Sequence, residues 1–223
     1  HPDDAFAKHY NGGRGKPEAW VILDTTEDGE IQFGHHAKTK EEFMQMTEAN
    51  DFVHLLKYLK AVKDGFIDIP SGTLHAIGKG VLTYNISRNA DCTLRLYDYD
   101  RIDPATGKKR DIQPKAVYDN VNIPDTSTTF VVYPSAYERG IHVTRYWDEP
   151  GLYTLLRLQV EAQGSFKHDR FAFYTCVKGE GSIQGVPIRQ GETMLVPHGM
   201  GMLEFKGVMD LFLASYRNEK DEA

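Results

Sequence analysis

The chain has 223 residues, of which 40% are hydrophobic and 26% charged, and its formal net charge is −6 at pH 7. This balance is typical of a globular protein, and the acidic charge offers no basic surface for nucleic acid. No apolar run approaches the roughly 18 residues of a spanning helix, so we expect no membrane association. The two cysteines, Cys92 and Cys176, form no paired motif. Their spacing disfavours a disulfide framework or a thiolate zinc site and suits a cytoplasmic location.

Short alternating apolar runs between glycines and prolines predict an all-β protein. In chain order, the clearest predicted strands span residues 19–23, 65–69, 80–86, 152–160 and 209–216. Residues 39–60 break this pattern. Thr39 opens a Thr-Lys-Glu-Glu capping sequence, and apolar residues then recur at helical spacing, so we predict one or two short helices with a break near residues 50–51. Residues 101–128 contain three prolines and are predicted to connect two β units.

Two segments share a glycine–strand–Pro-x-Gly pattern. The first segment begins at residue 65 and has a histidine, His75, three residues after its last glycine. The second segment spans residues 191–199 and has Met202 at the corresponding position. The pattern resembles the second sequence motif of cupins, which are small β-barrels. The resemblance implies two cupin-like double-stranded β-helix (jelly-roll) barrels, with the helical insertion in the first. The alternative is that both segments are simply tight turns between strands.

The predicted domains are 1–125, a metal-binding catalytic barrel, and 126–223, a second barrel without metal. The interior of the second barrel is predicted to be lined by Phe171, Phe173, Leu195, Leu203 and Leu211.

Four runs resemble motifs of type I phosphomannose isomerases of the bacterial cupin-fold branch. They are His-Pro-Asp-Asp at residues 1–4, Gly-Lys-Pro-Glu-Ala-Trp at 15–20, Pro-Ser-Gly-Thr-Leu-His-Ala-Ile-Gly-Lys-Gly at 70–80, and Asn-Ala-Asp-Cys-Thr-Leu-Arg-Leu-Tyr-Asp-Tyr-Asp-Arg at 89–101. The match is close up to about residue 115 and looser beyond it. The resemblance also implies that an N-terminal segment of the family precedes this chain.

The resemblance implies one zinc ion per chain. His1, Glu18 and His75 fall on three of the family's zinc ligands, and the fourth, a glutamine two residues before His1, lies outside this chain. Two imidazoles and a carboxylate suit zinc, and an amide oxygen would leave room for substrate. Taken singly, each residue has another interpretation: a surface histidine, a solvated strand glutamate and a partly buried imidazole.

Four further residues are candidates for contact with substrate. Arg95 falls on the arginine that the family places near the substrate, where a permanent positive charge would stabilise a forming enediol. Lys16 and Lys79 lie in runs that the resemblance places beside the pocket, so they are candidates for binding phosphate, or else are solvated loop lysines. Asn85 stands where the family usually has glutamate. An amide cannot accept and return a proton, so Asn85 either binds a sugar hydroxyl or marks altered function.

The resemblance implies a zinc-dependent aldose–ketose isomerase of mannose metabolism. Such an enzyme interconverts mannose 6-phosphate and fructose 6-phosphate through a cis-enediol, with a small sugar phosphate as its partner, as a monomer or homodimer. Two alternatives stay open. One is a cupin that binds a sugar phosphate without catalysis, which Asn85 favours, and the other is an iron-dependent cupin dioxygenase. If the isomerase interpretation is correct, His1, Glu18 and His75 converge, and a hairpin places Arg95 on the strand beside Asn85.

Overall fold

Antiparallel strands form most of the regular structure of this chain, which a computed structural model describes over residues 1–218. The chain divides into one unit, His1–Val131, and a second that starts at Val132. The predicted boundary, between residues 125 and 126, lies just before this division. No helix in the described part of the chain is long and apolar enough to cross a membrane.

The first unit contains two three-stranded antiparallel sheets and four short helices. Its elements are α1 (Asp4–Asn11), β1 (Glu18–Thr25), β2 (Glu30–His35), α2 (Lys40–Glu48), α3 (Phe52–Leu55), β3 (Leu56–Lys60), β4 (Phe66–Ile69), β5 (His75–Ile77), β6 (Val81–Ser87) and α4 (Pro114–Asn120). The strand orders are β4-β1-β6 and β3-β2-β5. One apolar cluster joins Trp20, Ile67 and Ile69 of the first sheet to Ile31 and Phe33 of the second. The two sheets therefore face each other across a shared core.

The helical region begins as predicted and ends earlier than predicted. The Thr39 hydroxyl accepts a hydrogen bond from the backbone N–H of Glu42, which caps α2. The helices stop at Leu55, and residues 56–60 form β3 instead of continuing the helix. The reason is tertiary, because β3 pairs with β2 and completes a sheet edge. The pattern also missed α1 and α4, the latter lying within the predicted connection 101–128.

The second unit is built on one curved antiparallel sheet. Its strands are β7 (Ser135–Glu138), β8 (Ile141–Asp148), β9 (Thr154–Val160), β10 (Gln163–Lys167), β11 (Ala172–Ile183), β12 (Val186–Arg189), β13 (Thr193–Val196) and β14 (Met202–Ser215). The main order is β12-β11-β14-β9-β8-β7, with β10 paired to β14 and β13 paired to β11. A single apolar cluster receives side chains from β8 to β14, so the sheet wraps around one core.

The predicted interior of the second unit is partly wrong. Leu203 and Leu211 lie in the core, but Phe171 is 39% exposed, Phe173 44% and Leu195 56%. The buried side chains of β11 include Ala172 and Tyr174, the two neighbours of Phe173 in the sequence. Because strand side chains alternate between faces, an assignment displaced by one residue moves the whole set to the other face.

The sheets confirm the all-β prediction with short helices. Within residues 1–218 no sheet closes on itself through strand pairing. The finer description, two cupin-like barrels, therefore stays a prediction.

Candidate metal centre

Hydrogen bonds tie the start of the chain to two loops of the first unit. The backbone N–H of Gly72 donates to the His1 carbonyl at 2.8 Å. The N–H of Lys16 and the hydroxyl of Ser71 both donate to the Pro2 carbonyl at 3.0 Å. The loop that contains Lys16 leads into β1, which carries Glu18, and the loop that contains Ser71 and Gly72 leads into β5, which begins at His75. Three segments distant in sequence are thereby held together.

Two glycines permit this close approach. A Cβ atom on Gly15 would lie 2.5 Å from the carbonyl carbon of Asp3, where no side chain fits. Gly72 has a φ of +82°, and a Cβ there would also lie 2.7 Å from Asn122 Oδ1. Glycine is the residue that tolerates both the left-handed backbone and the missing space. The glycines of the 15–20 and 70–80 runs therefore serve the packing that brings the candidate ligands together.

The structure brings His1, Glu18 and His75 to one place. Their candidate ligand atoms all lie within 4.8 Å of one another, and in residues 1–218 no other group of three or more His, Cys, Asp or Glu side chains is as suited to a metal. Nε2 of His1 lies 3.0 Å from Oε2 of Glu18. Ligands that share a tetrahedral zinc at about 2.0–2.2 Å lie roughly 3.3–3.6 Å apart. The spacing thus needs only a small adjustment to accept an ion.

Backbone carbonyls fix the protonation of both imidazoles. Nδ1 of His1 lies 3.2 Å from the Cys92 carbonyl, and Nδ1 of His75 lies 2.8 Å from the Thr73 carbonyl. A carbonyl oxygen can only accept, so Nδ1 carries the hydrogen in each ring. In the neutral ring, Nε2 then keeps its lone pair, which is the form that binds a metal. Burial, reinforced by neighbouring His1, lowers the pKa of His75 to about 4, so this ring is neutral at physiological pH.

The Glu18 carboxylate is anchored through one oxygen only. Its Oε1 accepts hydrogen bonds from Trp20 Nε1 at 2.8 Å and from Asn85 Nδ2 at 2.6 Å. Its Oε2 is buried and receives no hydrogen bond. Burial alone would raise the pKa of Glu18, but contacts with His1, His75 and Trp20 outweigh it and lower the pKa to about 2. A buried, charged oxygen beside two imidazoles fits a divalent cation.

Arg95 lies in the pocket beside the two histidines, although not on the predicted strand. Residues 88–101 form no strand, and the Arg95 backbone is held instead by Gln113, whose Oε1 accepts from the Arg95 N–H at 2.9 Å. The pocket is lined by Arg95, His1 and His75 together with Tyr97 and Tyr99. A permanent cation is therefore available at the wall of the candidate metal centre.

The remaining predicted site residues lie at different distances from the candidate metal ligands. Lys16 Nζ lies 3.8 Å from Glu18 Oε2. Asn85 lies on β6 opposite Trp20 and contacts Glu18, as described above. Lys79 lies in the turn after β5 and lines an adjoining groove with Asp28 and Tyr99, not the pocket of the histidines. The structure thus brings Lys16 and Asn85 to the candidate ligands and leaves Lys79 apart from them.

Sequence reasoning missed the groups that orient the ligands. The carbonyls of Thr73 and Cys92 have no sequence signal, because every residue has a carbonyl. Trp20 and Tyr97 were within the quoted runs but were given no role. A tryptophan two residues from a buried glutamate could have suggested a donor, since a buried indole N–H needs an acceptor.

No family model matches the chain. The chain is 35% identical over 220 residues to a mannose-6-phosphate isomerase of Bacillus subtilis, a match that covers 96% of this chain and 69% of the relative. A mannose-6-phosphate isomerase of Streptococcus mutans is 33% identical over 226 residues, covering 98% and 69% respectively. A crystal structure of the mannose 6-phosphate isomerase from Bacillus subtilis matches with a TM-score of 0.89 and 28% identity, covering 96% of this chain and 69% of that one.

Proposed function

The chain belongs to the mannose-6-phosphate isomerase family, and from this membership we propose that it interconverts mannose 6-phosphate and fructose 6-phosphate at a zinc ion held by His1, Glu18 and His75. The observation that supports the metal site is the convergence of three candidate ligand atoms within 4.8 Å, with the buried Oε2 of Glu18 lying 3.0 Å from His1 Nε2. A zinc ion bound there would supply Lewis-acid polarisation of the sugar carbonyl.

Arg95 and Lys16 are the proposed substrate contacts at this centre. The isomerisation moves a proton between C1 and C2 of the sugar and develops negative charge on an enediol oxygen. Arg95 lines the pocket, and its guanidinium would stabilise that charge. Lys16, 3.8 Å from Glu18, adds a second positive charge for an anionic substrate. Lys79, in the adjoining groove, is proposed to contact the phosphate of a substrate that extends that far.

The division of labour between the units is part of the proposal. The candidate ligands and Arg95 all lie in the first unit, which we assign as the catalytic, cupin-like barrel. The second unit would be a cupin-like barrel without metal, since Met202 stands where the first motif has His75. Support for the barrel description comes from the continuous core inside the curved sheet of the second unit.

The test is turnover of mannose 6-phosphate by the chain after removal of metal and return of zinc, cobalt or iron. We expect zinc to restore formation of fructose 6-phosphate. His75→Ala should abolish restoration, and the matched control His54→Ala should leave it intact, because the His54 side chain is 76% exposed and pairs with Asp51. Binding of mannose 6-phosphate without turnover in every metal form would replace the isomerase assignment with the sugar-phosphate-binding alternative. Activity restored by iron alone would exclude the zinc assignment.

A further inference from the structure

Asn85 and Trp20 hold the same oxygen of the candidate ligand Glu18. The two residues are direct neighbours across the β1–β6 ladder. Nδ2 of Asn85 lies 2.6 Å from Oε1, and Nε1 of Trp20 lies 2.8 Å from it. The assignment of the Asn85 nitrogen is dictated by chemistry, because an ionised carboxylate only accepts hydrogen bonds. Oε1 therefore has two hydrogen-bond donors from β1 and β6, whereas Oε2 faces His1 Nε2 at 3.0 Å.

We infer that Asn85 is a positioning residue, which holds Glu18 in the orientation of a one-oxygen metal ligand. The inference rests on the proposed zinc site. A carboxylate can bind an ion through one oxygen or both, and two N–H donors on Oε1 favour the first mode.

The same geometry explains why an acidic side chain would act differently here. A glutamate, which the family resemblance leads one to expect at this position, would place a second carboxylate next to Oε1 of Glu18. Two carboxylates in such contact repel each other when both are ionised, so one of them would take up a proton. Asn85 makes the contact without a proton and without repulsion. We therefore interpret Asn85 as a change in how the ligand is supported, because its amide nitrogen donates to Glu18.

Cobalt titration separates this role from a substrate contact, because it needs no substrate and no turnover. The variant Asn85→Leu keeps the approximate side-chain volume and removes the donor. Thr83→Val is the matched control, since Thr83 lies two residues earlier on β6, opposite Ile22. Cobalt affinity is measured by competition with a chelating dye, and the coordination of the ion by its visible absorption bands. Thermal unfolding of each metal-free variant shows whether the fold is kept.

We expect Asn85→Leu to bind cobalt about 10- to 100-fold more weakly than the unmodified chain, the usual effect of losing a partner of a metal ligand. Its absorption bands should change because Oε1 is free to reach the ion. Trp20→Phe, which removes the other donor, should change the same bands, while Thr83→Val should change neither property. If Asn85→Leu bound cobalt with an affinity within twofold of the unmodified chain and showed unchanged bands, the positioning role of Asn85 would be overturned and the proposed metal site would not. Failure of the unmodified chain to bind cobalt or zinc would overturn the proposed metal site as well.

Discussion

Replacement of Asp125 by asparagine tests whether a buried ion pair stabilises the first unit. The Asp125 side chain is 3% exposed, and its Oδ2 accepts from Lys57 Nζ at 2.6 Å and from the Ser127 hydroxyl at 2.6 Å. The amide that Asp125→Asn introduces would have the same shape as the carboxylate and no charge. The Lys57 ammonium, whose side chain is 32% exposed, would then lack its partner.

The expected loss follows from these exposures. Removing one partner of a fully buried pair costs about 3–5 kcal/mol. Because Lys57 can turn towards solvent, we expect a smaller loss of about 2–3 kcal/mol in the free energy of unfolding. For a chain of this size each kcal/mol lowers the melting temperature by about 2–4 °C, so the expected decrease is about 4–12 °C.

The effect should depend on pH with a definite sign. Burial alone would raise the pKa of Asp125, but the hydrogen bonds from Lys57 and Ser127 outweigh it and lower the pKa. A lowered pKa in the folded state means that the carboxylate stabilises the fold above its unfolded value of about 3.9. This contribution is lost as the pH falls through the folded pKa. The difference between the unmodified chain and Asp125→Asn should therefore shrink below about pH 4.

The assay uses tryptophan fluorescence during denaturant unfolding. The chain has two tryptophans, Trp20 in the first unit and Trp147 in the second, so a Trp147→Phe background makes Trp20 the reporter of the first unit. Asp119→Asn is the matched control, because Asp119 pairs with a lysine at 2.8 Å but is 64% exposed, and its loss should cost below about 1 kcal/mol. Equal losses for the two variants, or an Asp125→Asn loss that is unchanged at pH 3, would refute the reasoning.

Two further predictions concern the candidate metal centre. Glu18→Gln keeps an oxygen acceptor for Trp20 but presents no negative charge, so zinc affinity measured by chelator competition should fall by about 100-fold or more. The metal-free variant should also melt at a lower temperature, because the lowered pKa of Glu18 means that its charged form stabilises the fold at neutral pH. Unchanged affinity would contradict the ligand role. Arg95→Ala should lower kcat by about 10²- to 10³-fold, the usual effect of losing one donor to a developing oxyanion. Arg95→Lys should restore only part of the lost kcat. A kcat of Arg95→Ala within threefold of the unmodified chain would contradict this role.

Local chemistry was predictable from the sequence wherever neighbouring residues decide the structure. The cap at Thr39 follows from a hydroxyl three residues before a backbone N–H that needs an acceptor. The strand at residues 56–60 was not predictable in this way, because its apolar pattern also fits a helix and pairing with β2 decides between them. Phe173 illustrates a similar limit. Apolar residues occupy both faces of β11, so alternation alone does not reveal which face meets the core.

The candidate metal ligands could be predicted from the sequence, but the groups that orient them could not. The convergence of His1, Glu18 and His75 followed from matching runs, whereas their orientation depends on carbonyls that any residue could supply. Asn85 was noticed because it departs from the expected glutamate, but its partner could not be named without the β1–β6 register. Lys79 lies in a matching run and still lines a different groove, because a turn directs it away from the pocket.

The hydrogen bonds that join His1 and Pro2 to the two neighbouring loops bear on how a metal ion would bind to the candidate site and be released from it. In zinc fingers the ligands gather only when metal binds, so loss of the ion is loss of the fold. Here Lys16, Ser71 and Gly72 anchor the first segment through its backbone carbonyls, without any contribution from an ion. These contacts would keep the ligands close together before an ion binds, so we expect the chain to stay folded when a bound ion is released. Occupancy of the site would then depend on the concentration of divalent cations around the folded protein, and not on metal uptake during folding.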